Sequence, residues 1–172
     1  MFKKYIKEFS YKKAIKEFLT FALILFVVSN VISYVRKPTL SSSRLPAIVK
    51  KTINQQNFSF KEDRKRPLLI HFWATWCPTC KVEADNIQRL SEHYDVMSIA
   101  VRSGSDEELK QYMSERGFDY KVINDANGEI ANLFSIGGYP TTFIYNSEGY
   151  LEFSEVGYTS TLGLFARMLW AN

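Results

Sequence analysis

Residues 68–80, LLIHFWATWCPTC, are the most informative segment of the sequence for the fold. Its first six residues, Leu68 to Trp73, are apolar except for one histidine. Such a run is typical of a strand that is buried on both faces. A C-x-x-C pair follows directly, and Pro78 suits the first turn of a helix. The stretch therefore predicts a buried strand, a short turn and a helix that begins near Cys77.

The spacing of the two cysteines indicates thiol–disulfide exchange. Exchange needs an accessible thiolate and a second thiol close enough to resolve the mixed disulfide. At the start of a helix the first thiol lies at the positive end of the helix dipole, which lowers its pKa. The second thiol lies about one turn further on, within bonding reach. We assign Cys77 as the attacking nucleophile and Cys80 as the resolving thiol.

Other uses of the cysteine pair stay open at this point. Thiolates suit soft metals, so copper(I) is one alternative, and an accidental pair is another. A structural zinc site usually needs four ligands. The chain has two cysteines and two histidines, of which His93 lies in a polar, surface-like stretch. The sequence therefore predicts no zinc site, and it indicates no cofactor.

The charge of the chain is concentrated at its N-terminus. The 172 residues carry a formal net charge of +4. Residues 1–17 hold six lysines and two glutamates, which is also a net +4. The rest of the chain is therefore neutral overall, with no basic face of the kind that binds nucleic acid.

An uncharged, largely apolar run follows the lysines, from Phe18 to Val35. Its 18 residues approach the length of a transmembrane helix. A cleaved signal peptide is the main alternative, but no small-x-small cleavage site follows; a buried core helix is the other. We predict a basic cytoplasmic segment at 1–17, a transmembrane anchor at 18–35, a linker at 36–44 and an exported domain at 45–172.

The exported domain alternates between strand and helix patterns. We expect a mixed sheet with helices on both faces, because β and α segments alternate before a terminal hairpin. In the helix after the cysteines, Val82, Ile87 and Leu90 are predicted to share one side. In the last helix, Leu162, Phe165 and Leu169 are predicted to face inward. The predicted elements are a hairpin or two strand fragments in 53–60, strands at 68–73, 96–101, 120–123, 142–145 and 151–156, and helices at 77–94, 105–117, 129–134 and 161–170.

Two motifs together resemble the thioredoxin superfamily. They are FWATWCPTC at 72–80, which includes Trp76, Pro78 and Thr79, and YPTTF at 139–143. The closest likeness is to the membrane-anchored TlpA/ResA/DsbE-like branch, and it runs from about Leu45 to the C-terminus. Residues 101–105 and 124–125 most resemble its suppressor-of-copper-sensitivity (ScsD-like) subgroup. The resemblance implies an α/β, thioredoxin-like fold with a mixed central sheet flanked by helices.

The resemblance also implies roles for residues outside the cysteine pair. The proline that matches Pro140 is cis in the family and faces the redox pair, and the backbone of Tyr139 would pair with substrate. Glu83 matches an acid that assists proton transfer; the alternative is a solvated helix carboxylate. His71 stands where thioredoxins have a buried aspartate. It can take the proton from Cys80, or it can be a hydrogen-bonded core histidine.

The resemblance places the protein in the inner membrane, as a single-pass protein with its C-terminal domain in the periplasm. It implies a reductase or isomerase of disulfides in exported proteins, supplied with electrons by a membrane donor. Pro-Thr stands between the cysteines where thioredoxin has Gly-Pro, and those residues tune the potential. An oxidase of the same fold therefore remains an alternative, as does a copper-binding thiol module.

Overall fold

The computed structural model describes residues 11–35, 42–60 and 65–171. The chain divides into two compact units, Met1–Val35 and Arg36–Asn172. In the first unit, helix α1 spans Tyr11–Val35. None of the helices in the described part of the chain combines the length and the apolar character that a membrane span needs. Residues 1–10 and 36–41, which hold much of the predicted basic segment and linker, lie outside the described residues.

The second unit is built on a five-stranded mixed sheet in the order β5-β4-β3-β6-β7. The central strand β3 pairs in parallel with β4, and β4 pairs in parallel with β5. On its other side, β3 pairs antiparallel with β6, and β6 forms an antiparallel hairpin with β7. This is the predicted mixed sheet. The strands are β3 (Leu68–Trp73), β4 (Asp95–Val101), β5 (Lys121–Asp125), β6 (Thr141–Tyr145) and β7 (Leu151–Val156).

A separate two-stranded sheet precedes the central strand. Strand β1 (Val49–Lys51) pairs antiparallel with β2 (Asn57–Ser59). The prediction of a hairpin or two strand fragments within residues 53–60 is right only for the second strand, because β2 lies in that range and β1 precedes it. Ile53 instead lies in the turn, where its side chain is buried and its amide donates to the carbonyl of Val122.

Helices cover both faces of the five-stranded sheet. One face packs against α2 (Pro78–Ser91), α3 (Asp106–Arg116) and α5 (Thr161–Trp170). The other packs against α4 (Glu129–Leu133) and the segment before β3. All six residues of β3 are buried, as the apolar run predicts for a strand covered on both sides. The fold is therefore the predicted α/β sandwich, and it places the cysteine loop at the carboxyl end of β3.

Helix α2 turns a different side inward from the one predicted. Ile87 and Leu90 are fully buried, but Val82 is 66% exposed. The buried side instead includes Cys80, Glu83 and Ala84, which follow the three- and four-residue spacing of a helix face. The prediction was wrong for Val82 because it followed apolar character and so left out a buried acid.

Helix α5 shows the same kind of error. Leu162 and Leu169 are 80% and 66% exposed, while Leu164 and Met168 are fully buried. Both sides of this helix are apolar, so periodicity alone does not choose between them. The inward residues Leu164 and Met168 belong to the same hydrophobic cluster as Ile87 of α2. The prediction is therefore wrong for Leu162 and Leu169, while Phe165 is half-buried and packs against this cluster.

Helix α3 begins and ends as predicted. The Ser105 hydroxyl accepts a hydrogen bond from the Glu108 amide, and the Glu108 carboxylate accepts one from the Ser105 amide. This reciprocal capping box satisfies two amides that a helix start leaves without partners. Gly117 closes the helix in the left-handed region, at φ 67°, where glycine carries no steric penalty.

Candidate active site

The two cysteines lie at the start of α2 and are joined by a disulfide. Their Cα atoms are 5.3 Å apart, and the residues are 5% and 3% exposed. Cys77 is the N-cap of the helix, and its Sγ accepts a hydrogen bond of 3.2 Å from the Cys80 amide. Once the disulfide is reduced, the same amide and the helix dipole stabilise a thiolate on Cys77.

The loop that carries Cys77 is tied to the end of the neighbouring strand β4. The Thr75 amide donates to the Ser103 hydroxyl at 3.1 Å. The indole Nε1–H of Trp76 donates to the carbonyl of Arg102 at 3.2 Å. These two contacts, one from Thr75 and one from the Trp76 side chain, give the residue before the nucleophile a defined position. Pro78 and Thr79, between the cysteines, are exposed.

An aromatic pair lies beside the redox loop. The Tyr139–Pro140 peptide bond is cis, as the resemblance implies. The Tyr139 ring meets the Trp76 ring edge to face, with ring centroids 5.6 Å apart. Trp76 is 58% exposed and Tyr139 is half-buried, so the pair presents aromatic surface to a partner. The structure therefore brings the motif of residues 139–143 to the cysteine motif, across a separation of about 60 residues.

Glu83 is a fully buried acid on the helix that begins with the cysteines. It lies three residues after Cys80, on the same side of α2. Its Oε1 accepts a hydrogen bond of 2.9 Å from the Thr159 amide, and its Oε2 has no hydrogen-bond partner among the residues that the structure describes. Burial raises the pKa of Glu83 to about 7, against the lowering effect of the Thr159 amide. The alternative of a solvated carboxylate is therefore wrong, and Glu83 exchanges its proton near neutral pH.

His71 lies on β3 and is also buried, at 2% exposure. Its Nδ1 is hydrogen-bonded to the hydroxyl of Thr142 on β6, at 3.0 Å. Burial lowers the pKa of His71 to about 3, so the ring is neutral at physiological pH. A base with so low a pKa accepts a thiol proton poorly. The arrangement fits the hydrogen-bonded core histidine better than the proton shuttle.

Two residues at this site, Thr159 and Arg102, carry no motif that predicts a role for them. Thr159 supplies the amide that holds Glu83, from a position 76 residues further along the chain. Arg102 lies within the segment 101–105 that resembles the ScsD-like subgroup, and its left-handed backbone, at φ 48°, has no signature in the sequence. Among residues 11–35, 42–60 and 65–171, no three or more histidine, cysteine or acidic side chains are grouped to hold a metal ion.

The comparisons with known proteins identify the family. Residues 42–154 match the sequence profile of the AhpC/TSA family. The chain belongs to that family. It is also 31% identical, over 93% of its own length and 96% of the relative's, to a thioredoxin-like protein of Haemophilus influenzae. The thiol–disulfide oxidoreductase ResA of Oceanobacillus iheyensis is 27% identical over 60% of this chain and 56% of that protein. The chain thus matches only about half the length of that relative.

Solved structures agree with the fold. The thioredoxin-family thiol:disulfide interchange protein of Chlorobium tepidum superposes with a TM-score of 0.66. It is 25% identical, and the match covers 78% of this chain and 97% of that one. The chain is therefore a thiol–disulfide oxidoreductase with a thioredoxin-like fold. The finer likeness to the ScsD-like subgroup stays a prediction.

Proposed function

We propose that the protein is a membrane-anchored reductase or isomerase of disulfides in exported proteins, acting through Cys77 and Cys80. The observation that carries the proposal is the Cys77–Cys80 disulfide at the start of α2, with the buried acid Glu83 one turn beyond. A redox pair alone suits several activities. A proton-exchanging group beside the resolving thiol is what repeated turnover needs.

The reaction uses the reduced form of the pair. The Cys77 thiolate attacks one sulfur of a substrate disulfide, forming a mixed disulfide and releasing the other substrate sulfur as a thiolate. Cys80 then loses its proton and attacks the sulfur of Cys77. The Cys77–Cys80 disulfide forms again, and the second substrate thiolate leaves. Two electrons pass from the pair to the substrate, and a donor must restore them.

Glu83 supplies the proton step that the resolving thiol needs. Cys80 attacks only as a thiolate, yet it is buried, and burial disfavours the charged form. A carboxylate three residues further along the helix can accept its proton. Because the pKa of Glu83 is about 7, the group is ionised often enough to accept the proton and protonated often enough to return it.

The anchor and the location are further parts of the proposal, supported by the sequence. Residues 18–35 carry no charge and follow a lysine-rich segment, which favours a cytoplasmic N-terminus. Apolar side chains of α1, such as Phe18, Phe21 and Leu23, are exposed. A single-pass inner-membrane protein with a periplasmic redox domain satisfies both observations. A membrane electron donor would then re-reduce the pair from the same side.

Trapping of partners tests the proposal in cells. Cys80→Ser removes the resolving thiol, so we expect mixed disulfides between Cys77 and exported proteins, visible on non-reducing gels and identified by mass spectrometry. Cys77→Ser, the same substitution at the other cysteine of the pair, is the matched control. It removes the nucleophile and should trap no partner. Full reductase activity in Cys77→Ser, or trapped partners that are all cytoplasmic, would contradict the proposal.

A further inference from the structure

Arg102 is held against the redox loop by its backbone. It follows β4 directly, with a left-handed φ of 48°. Its amide donates to the carbonyl of Asp125 at 3.1 Å, and its carbonyl accepts the indole N–H of Trp76 at 3.2 Å. Non-glycine residues rarely adopt this backbone conformation, and those that do concentrate at functional sites.

The side chain of Arg102 has a defined place as well. It is exposed, and it lies over the turn that precedes α4. A Cβ added at Gly128 would lie 3.3 Å from Nε and 3.4 Å from Nη2 of Arg102. The guanidinium is also close enough to Tyr139 for its charge to lower the pKa of that hydroxyl, against the effect of burial. Arg102 is therefore bonded to the aromatic pair through its backbone carbonyl, and the charge of its side chain acts on Tyr139.

This positive charge has no anionic partner within the described part of the chain. No ion pair found among residues 11–35, 42–60 and 65–171 includes Arg102. Asp125 also acts on Tyr139 by its charge. However, its two carboxylate oxygens accept hydrogen bonds from the Ile130 and Ala131 amides, at 3.1 and 2.8 Å. Arg102 thus offers an exposed guanidinium on the residue whose carbonyl holds Trp76, the neighbour of the Cys77 nucleophile.

We propose that Arg102, Trp76 and Tyr139 form a subsite that binds a carboxylate side chain adjacent to the reacting cysteine of the substrate. The edge-to-face rings offer apolar surface to the peptide, and the guanidinium presents paired N–H donors that match a carboxylate. The inference rests on the proposed function, because it concerns the substrate of that reaction. It defines the substrate class as peptides with an acidic residue next to the cysteine.

Exchange kinetics with matched peptides test the subsite. The probes are symmetrical disulfides of acetyl-Gly-Cys-X-Gly-amide and acetyl-Gly-X-Cys-Gly-amide, in which X is Glu, Gln or Lys. The reduced full chain in detergent is mixed with each probe, and thiol release is followed by chromatography of acid-quenched samples. Each rate is divided by the rate with dithiothreitol, which corrects for the intrinsic reactivity of the probe.

We expect the wild-type chain to prefer Glu over Gln roughly two- to fivefold in at least one series, the range of an exposed ion pair. The preference should weaken as salt is added. In Arg102→Gln the Glu-to-Gln ratio should fall to about one, and Arg102→Lys should restore part of it. Arg89→Gln, the same charge change at an exposed position later in α2, is the matched control and should keep the preference.

Three outcomes of these exchange measurements would contradict the proposed subsite. A wild-type ratio near one in both series contradicts the subsite but leaves disulfide exchange standing. A preference that survives in Arg102→Gln also contradicts it, because another group would then bind the carboxylate. A failure of the wild-type chain to exchange with any peptide contradicts the proposed function itself, and the subsite with it.

Discussion

The side chain of Glu83 links the chemistry of the cysteines to the stability of the fold. Its pKa rises from an ordinary value of 4.5 to about 7 because it is buried. The folded chain therefore holds a proton that the unfolded chain has lost between these values. The free energy of unfolding must then fall as pH rises from about 4.5 to 7, by about 3 kcal/mol in all.

Glu83→Gln tests this linkage at the residue scale. Glutamine is neutral at every pH and keeps the shape of the protonated acid, so its stability should lose that pH dependence. We expect Glu83→Gln to unfold at a higher urea concentration than wild type at pH 8, and at a similar one at pH 4.5. Exchange at pH 7 should slow by on the order of 100-fold. Equal stability at pH 8, or full activity, would contradict the role given to Glu83.

The residue scale also marks where sequence reasoning stops. Cys77 and Cys80 could be assigned because the chemistry requires their spacing and the strand before them is plainly apolar. The burial of Glu83 could not be inferred, because its partner Thr159 is 76 residues away and contributes a backbone amide, which every residue type except proline supplies. The backbone conformation of Arg102 could not be predicted from the sequence either, because arginine carries no preference for a left-handed backbone.

At the level of helices and strands, the ends of a helix could be predicted from neighbouring residues, but the side that packs inward could not. The capping box of α3 and its glycine stop are made by neighbouring residues, so the sequence predicts them directly. The inward side of α5 depends on α2, a distant element. An apolar helix that packs on only one side leaves the other exposed, and periodicity does not distinguish them.

A matched pair of substitutions in α5 tests the observed orientation. Leu164 is fully buried and Leu162 is 80% exposed. Leu164→Ala creates a cavity and should lower the free energy of unfolding by about 2 to 5 kcal/mol. Leu162→Ala, the same chemical change half a turn away, should change it by less than about 0.5 kcal/mol. Urea unfolding measures both, and equal effects would contradict the described packing.

On the scale of the whole molecule, the fold assembles the site from distant segments. The loop after β3 carries the cysteines, the end of β4 carries Arg102, and the segment before β6 carries the cis bond at Pro140. The segment between β7 and α5 completes the set with the Thr159 amide. Because β3 is central in the sheet, the strands on both sides of it deliver these groups to the same redox pair.

The reduction potential of the Cys77–Cys80 pair distinguishes a reductase from an oxidase. The full chain in detergent is equilibrated in glutathione buffers of graded composition, and its free thiols are counted after alkylation. The reduction potential of a reductase must be lower than that of the disulfides that it reduces. We therefore predict a value near that of thioredoxin, roughly −270 mV. A value near −120 mV, that of a strong oxidant, would contradict the account.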